Sequence, residues 1–121
     1  MSDGIELKKK HFDYFKKQCN KWIEKFKLDD WDFYFNFKLF DGAWARTNRD
    51  VINHIAVITL CNNWEVEVLD NLNDAIASTA KHEITHILIS NIAQLAYSRF
   101  VTEDEVVGAE EACVIKLCKL L

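Results

Sequence analysis

The chain has 121 residues, of which 50% are hydrophobic and 28% charged, and its formal net charge is −4. This length suits one core, so a single domain over residues 1–121 is expected, and the acidic balance argues against nucleic acid as a partner. No apolar run approaches the roughly 20 residues that cross a bilayer, so no membrane partner is expected. The charged segment 1–10 cannot act as the apolar part of a secretory signal, and the four cysteines lack Cys-x-x-Cys spacing, which together predict a cytoplasmic protein with reduced thiols.

The first half of the chain predicts one helix followed by three strands. Over residues 5–27, apolar side chains recur at three- and four-residue steps, which is typical of an amphipathic helix. Residues 31–39 alternate between apolar and polar side chains, as in a strand covered on one face. Residues 43–47 and 52–60 are expected to form two further strands around a turn at 48–50. Because short turns connect them, we expect an antiparallel meander.

The second half predicts two helices. Asp70 or Asn71 can cap a helix that runs from about residue 72 to residue 92. Thr102, with Glu105 three residues later, is a capping-box signal for a last helix that extends to the end of the chain. The expected class is therefore α+β, with an N-terminal helix, a three-stranded, mostly antiparallel sheet, and two later helices.

The predicted helix at 72–92 contains a metal-binding pattern, because His82, Glu83 and His86 spell His-Glu-x-x-His. Side chains four residues apart lie about 5–6 Å apart on one helix face, so two imidazoles can bind one ion at about 2.0–2.1 Å each. Glu83 is offset around the helix by about 100 degrees, which lets it reach a water on the metal without binding the ion. The pattern predicts a Zn2+ site with Glu83 as general base, and an inert histidine pair is the competing interpretation.

A catalytic zinc ion commonly has three protein ligands, and no histidine follows His86 in the sequence. His11 and His54 lie upstream, where ordinary surface or core roles are expected. A carboxylate of the last helix is the better candidate. There the lysines mark the solvent face, which places Glu110 nearer the buried side than Glu111 and leaves the choice between them open.

With this motif and an acidic last helix, the chain resembles the gluzincins, which are zinc metallopeptidases with two motif histidines and a later glutamate as ligands. The resemblance is carried by His82, Glu83 and His86, and in outline it is closest to minimal gluzincin-like domains and to phage- or prophage-borne metallopeptidase domains. It implies a zincin-like fold and hydrolysis of a peptide or protein substrate. Only the five-residue motif is specific.

The resemblance also implies a third ligand. In the family-like pattern, the glutamate is followed by an aliphatic residue three positions on and by leucine six positions on, which fits Glu111, Val114 and Leu117. The ligand role therefore passes to Glu111, giving His82, His86 and Glu111 as the zinc ligands. Glu110 remains the alternative.

Substrate binding follows from the resemblance too. The strand nearest the cleft of a zincin binds an extended substrate by strand addition, and residues 52–60 are expected to supply it here. Peptide hydrolysis forms an oxyanion that needs a hydrogen-bond donor. Three residues are candidates for this donor, with no basis for choosing among them: Tyr97, Arg99 and His54.

Two non-catalytic interpretations compete with a peptidase. The first is a zinc-stabilised protein-binding module, in which a fourth protein ligand such as Glu110 occupies the water position. The second is an aromatic-rich interaction domain without metal, which uses Tyr34, Trp44 and Trp64.

Overall fold

A computed structural model describes residues 4–65, 71–90 and 102–120. The elements in chain order are β1 (Ile5–Glu6), α1 (Lys9–Lys25), β2 (Asp32–Lys38), β3 (Ala45–Asp50), β4 (Ile55–Cys61), β5 (Asn63–Trp64), α2 (Leu72–Leu88) and α3 (Glu103–Leu120). This composition confirms the predicted α+β class. None of the described helices is long and apolar enough to cross a membrane.

Helix α1 begins later than predicted because the residues before it form a strand. Ile5–Glu6 pairs antiparallel with Asn63–Trp64, in a two-stranded sheet separate from the larger one. At the helix start, the N–H of Lys8 donates to Nδ1 of His11 at 2.8 Å. His11 therefore has a local contact at the start of α1.

The starts of the two later helices follow the predicted caps. The side chain of Asn71 accepts a hydrogen bond from the N–H of Asp74 at 3.1 Å. The hydroxyl of Thr102 accepts from the N–H of Glu105 at 3.2 Å and donates to the Glu105 carboxylate at 2.8 Å. Helix α2 ends at Leu88.

The three-stranded sheet has the order β2-β4-β3, so the predicted meander is wrong. Strand β2 pairs with β4 in parallel, and β3 pairs with β4 antiparallel. The central strand β4 is almost entirely apolar and buried, as a strand covered on both faces must be, whereas β3 carries mostly polar residues that suit a sheet edge. The meander assumed that strands adjacent in the chain are adjacent in the sheet, and β4 instead lies between β2 and β3.

The turn between β3 and β4 also differs from the prediction. Residues 48–50, expected to form the turn, extend β3, and the turn follows at residues 51–54. The Asn53 N–H and side-chain amide donate to the Asp50 carboxylate at 3.1 and 2.8 Å, which lowers the pKa of Asp50. Ile52, predicted in a strand, is 86% exposed in this turn. As a result, Thr47 and Arg49 both belong to β3 and leave it on the same face.

The core joins helices α1 and α2 to the central strand β4. It includes the fully buried residues Phe15, Cys19, Ala56, Ile58, Leu60, Ile76, Ala80 and Ile84. The ring of Phe12 in α1 stacks on that of Phe37 in β2, with centroids 5.0 Å apart. The motif helix α2 is thus fixed by an apolar face that packs in the same core as α1 and β4.

Two isoleucines test this strand order. Ile58→Ala in the centre of β4 removes a fully buried side chain and should lower the free energy of unfolding by about 2–5 kcal/mol. Ile52→Ala removes the same atoms from the exposed turn and should change it by less than about 0.5 kcal/mol. Urea denaturation of the metal-free proteins measures both values, and equal losses would contradict the placement of β4.

Candidate metal centre

Edge strand β3 lies against the motif turn of α2 and contacts it at two points. The hydroxyl of Thr47 donates to Oε1 of Glu83 at 2.8 Å, and it lies 3.3 Å from the carbonyl oxygen of the same residue. Two positions further along the strand, Nη1 of Arg49 donates to the carbonyl oxygen of His86 at 3.1 Å. The strand therefore holds Glu83 and the backbone of His86 in fixed positions.

The structure brings His82, His86 and Glu111 into one group. Nε2 of His82 lies 3.2 Å from Oε1 of Glu111, and Nε2 of His86 lies 3.5 Å from Oε2 of the same carboxylate. Ligand atoms that each lie about 2.0–2.1 Å from a tetrahedral zinc ion are on the order of 3.3 Å from one another. One ligand atom from each of these three residues lies within 4.8 Å of the other two, and two imidazoles with one carboxylate are donor types that bind zinc. Among the described residues, no other group of three or more such side chains converges in this way.

The protonation of the site also suits a metal. Burial lowers the pKa of His86, although the nearby Glu111 acts in the opposite direction. The lowered pKa favours the neutral imidazole that a metal requires. Glu83 is buried, and its burial raises the pKa of its carboxyl, while the hydrogen bond from Thr47 and the nearby His82 act in the opposite direction. The protonated form of Glu83 is therefore easier to reach than that of an exposed glutamate. Oε2 of Glu83 lies 4.0 Å from Nε2 of His82, beside the group of three.

The two glutamates of α3 have different partners. Oε2 of Glu110 lies 2.5 Å from Nη2 of Arg49 and 3.8 Å from Nδ1 of His86. Glu110 therefore faces the ring nitrogen of His86 that points away from Glu111. The side chain of Glu110 is 9% exposed and that of Glu111 is 47% exposed, so the helical pattern correctly placed Glu110 nearer the buried side. The buried carboxylate pairs with an arginine, and the more exposed one lies against both histidines.

Sequence reasoning missed Thr47 and Arg49. The predicted turn at 48–50 assigned them to different elements, which hid the alternation that places both side chains on one face of β3. The available signal was the spacing of these two polar side chains, which lie two positions apart and close to a run of apolar strand residues.

The other predicted site residues lie elsewhere or outside the described residues. Nδ1 of His54 is 3.3 Å from the Asp30 carboxylate, and its ring stacks on Trp31 with centroids 4.7 Å apart. Because the contacts of His54 are with Asp30 and Trp31 and not with His82 or His86, His54 is not placed to donate to an oxyanion at the histidine pair. Tyr97 and Arg99 fall outside the described residues.

The expected substrate strand needs correction. Residues 52–60 were to bind an extended chain, but β4 is hydrogen-bonded to β2 on one side and to β3 on the other. A strand paired on both sides has no backbone groups left to accept another strand. Strand β3 is the sheet edge beside α2, with no second strand partner among the described residues.

An open pocket of about 380 Å³ adjoins the site. The described residues that line it come from the segment that leads into β3 and from α2: Ala43, Trp44, Ala45, Ala75, Ser78, Thr79, His82 and Glu83. Small side chains dominate this lining, which leaves open space beside Glu83.

Comparison with protein-family models found no match to this chain, and comparisons with curated proteins and with solved structures gave no significant match. The functional assignment therefore depends on the geometry of the site.

Metal analysis tests this group directly. The purified protein, dialysed after zinc loading, should retain about one zinc ion per chain, and His82→Ala or Glu111→Ala should remove most of it because each deletes one of three ligands. His54→Ala is the matched control, since it removes an imidazole whose contacts lie elsewhere, and it should leave the zinc content unchanged. Plasma mass spectrometry gives the content. Zinc retained by His82→Ala, or lost equally with His54→Ala, would contradict the site.

Proposed function

We propose that this chain is a zinc-dependent metallopeptidase of the gluzincin type, in which His82, His86 and Glu111 hold Zn2+ and Glu83 is the general base. The observation that carries the proposal is the approach of both imidazole Nε2 atoms to one carboxylate, at 3.2 and 3.5 Å, with a second carboxylate beside them. When bound, zinc would supply Lewis acidity and would lower the pKa of a coordinated water towards about 7.

Glu83 has the properties of a proton carrier. The Thr47 hydroxyl holds Oε1 at 2.8 Å, which orients the carboxylate and leaves Oε2 on the side of His82. Burial raises the pKa of Glu83, so the protonated form is easier to reach than for an exposed glutamate. The same group can therefore take a proton from the attacking water and return it to the leaving amine.

A peptide or protein chain is the proposed substrate. The edge strand β3 offers backbone groups beside α2, and the strand-addition role that the resemblance assigned to residues 52–60 passes to it. The pocket next to Glu83 gives space for one substrate side chain. A reducing, cytoplasmic setting is part of the proposal and is supported by the free thiols of Cys19, Cys61 and Cys118.

The contacts of Glu110 weigh against the zinc-stabilised binding module. A closed structural site needs a fourth protein ligand, and Glu110 was the candidate. Its carboxylate pairs with Arg49 and faces Nδ1 of His86, away from the side on which Glu111 lies. With three protein ligands among the described residues, a bound zinc ion would keep a fourth position for water, which supports catalysis over a purely structural role.

The aromatic interaction domain has less support. Trp64 is fully buried and stacks on Trp44, with centroids 4.3 Å apart, so both rings serve the core. Tyr34, at 58% exposure, is the exposed member of the three aromatic residues. One exposed tyrosine is too small a patch to argue for a docking surface.

Glu83→Gln tests catalysis separately from metal binding. In a mixed peptide library analysed by mass spectrometry, the zinc-loaded native protein should cleave, and Glu83→Gln should reduce the rate by about 10²–10⁴-fold because the amide cannot accept the proton. Its zinc content should equal that of the native protein. Glu24→Gln, on the exposed face of α1, controls for loss of charge and should retain full activity. Equal cleavage by native protein and Glu83→Gln would refute the proposed base.

A further inference from the structure

We propose that Arg49 is a positioning residue for the metal site, because it fixes helix α3 through Glu110 so that Glu111 lies against both imidazoles. This inference rests on the proposed function, since it takes His82, His86 and Glu111 as ligands. It adds a residue from the sheet edge that neither the motif nor the resemblance identifies.

One guanidinium joins the three elements that build the site. Arg49 extends from β3, donates through Nη1 to the carbonyl oxygen of His86 in α2, and contacts the Glu110 carboxylate of α3 through Nη2. A planar guanidinium with five donors can serve two acceptors in different directions at once. The position of α3 relative to α2 is therefore tied to one side chain of β3.

Because the ion pair between Arg49 and Glu110 is largely buried, water cannot easily replace the arginine. The side chains of Arg49 and Glu110 are 17% and 9% exposed, so loss of the arginine would leave a carboxylate largely removed from water without its partner. An unpaired buried charge is strongly unfavourable, so Glu110 would have to turn towards solvent. That change would disturb the segment of α3 that also carries Glu111.

Glu111 depends on this arrangement more than the histidines do. The histidines sit on α2, whose apolar side chains Ile84 and Ile87 pack in the core. The Glu111 side chain is 47% exposed, and its ion-pair contacts among the described residues are with the two histidines themselves. Its position is consequently set by its neighbour Glu110 and by the placement of α3.

Zinc affinity provides the first arm of the test. Competition with a chromophoric chelator should show that Arg49→Met binds zinc about 10–100-fold more weakly than the native protein, as is typical when a residue that supports the ligands is lost. Arg49→Lys keeps the positive charge but not the planar guanidinium that serves two acceptors, so its zinc affinity should lie between those of Arg49→Met and the native protein. Arg46→Met is the matched control, because Arg46 leaves β3 on the other face and lies over the Phe40 ring at 4.5 Å. It should change the affinity less than about twofold.

The second arm asks whether Arg49 acts through Glu111. If it does, adding Arg49→Met to Glu111→Gln should weaken zinc binding by less than about threefold, because the ligand to be positioned has already been changed. The visible absorption spectrum of Co2+ bound in place of zinc should change in Arg49→Met towards that of Glu111→Gln, and should stay native in Arg46→Met. Thermal unfolding of the metal-free variants establishes that each is folded.

The outcomes separate this inference from the proposed function. Native zinc affinity in Arg49→Met, or an equal loss with and without Glu111→Gln, would overturn the positioning role while leaving the zinc site intact. Failure of the native protein to bind zinc would overturn both. The role would be supported if Arg49→Met weakens zinc binding only when Glu111 is present and if its Co2+ spectrum resembles that of Glu111→Gln.

Discussion

A carboxylate removed from water needs a donor or a positive charge beside it, and this requirement determines the junction of β3, α2 and α3. Two buried glutamates meet there. Glu83 is held by the hydroxyl of Thr47, and Glu110 by the guanidinium of Arg49, and both donors come from the same face of one edge strand. The register of β3 therefore sets the orientation of the motif glutamate and the approach of the last helix together. The remaining carboxylate, Glu111, is then the one that lies against the histidines.

The helices could be predicted from the sequence because their signals are local. Apolar spacing indicated α1, and the caps at Asn71 and Thr102 indicated where α2 and α3 begin. The sheet could not be predicted from the same signals, since alternation along a strand does not specify which strand it pairs with or in which direction. Composition held the missing information: the apolar run in β4 required a central position, and the polar residues of β3 suited an edge. The turn at residues 51–54 was missed because Asn48 and Asp50, which are typical turn residues, lie in β3 just before it.

At the site, the sequence identified the residue types better than their partners. The helical pattern indicated that Glu110 is more buried than Glu111, and the structure agrees. The burial of Glu110 made it an alternative zinc ligand only because its ion-pair partner was unknown. That partner, Arg49, lies far away in the chain, in a segment predicted to be a turn. The family-like spacing had favoured Glu111 for a different reason. Long-range charge pairing is what separates the two glutamates, and no local pattern reports it.

We propose that the two histidines and Glu111 form one zinc site. X-ray absorption at the zinc edge of the zinc-loaded protein tests it most directly. We expect two imidazole nitrogens at about 2.0–2.1 Å and one or two oxygen neighbours at about 2.0–2.2 Å, with the oxygen shell altered in Glu111→Ala. A sulfur shell at about 2.3 Å, or a spectrum without imidazole scattering, would contradict it.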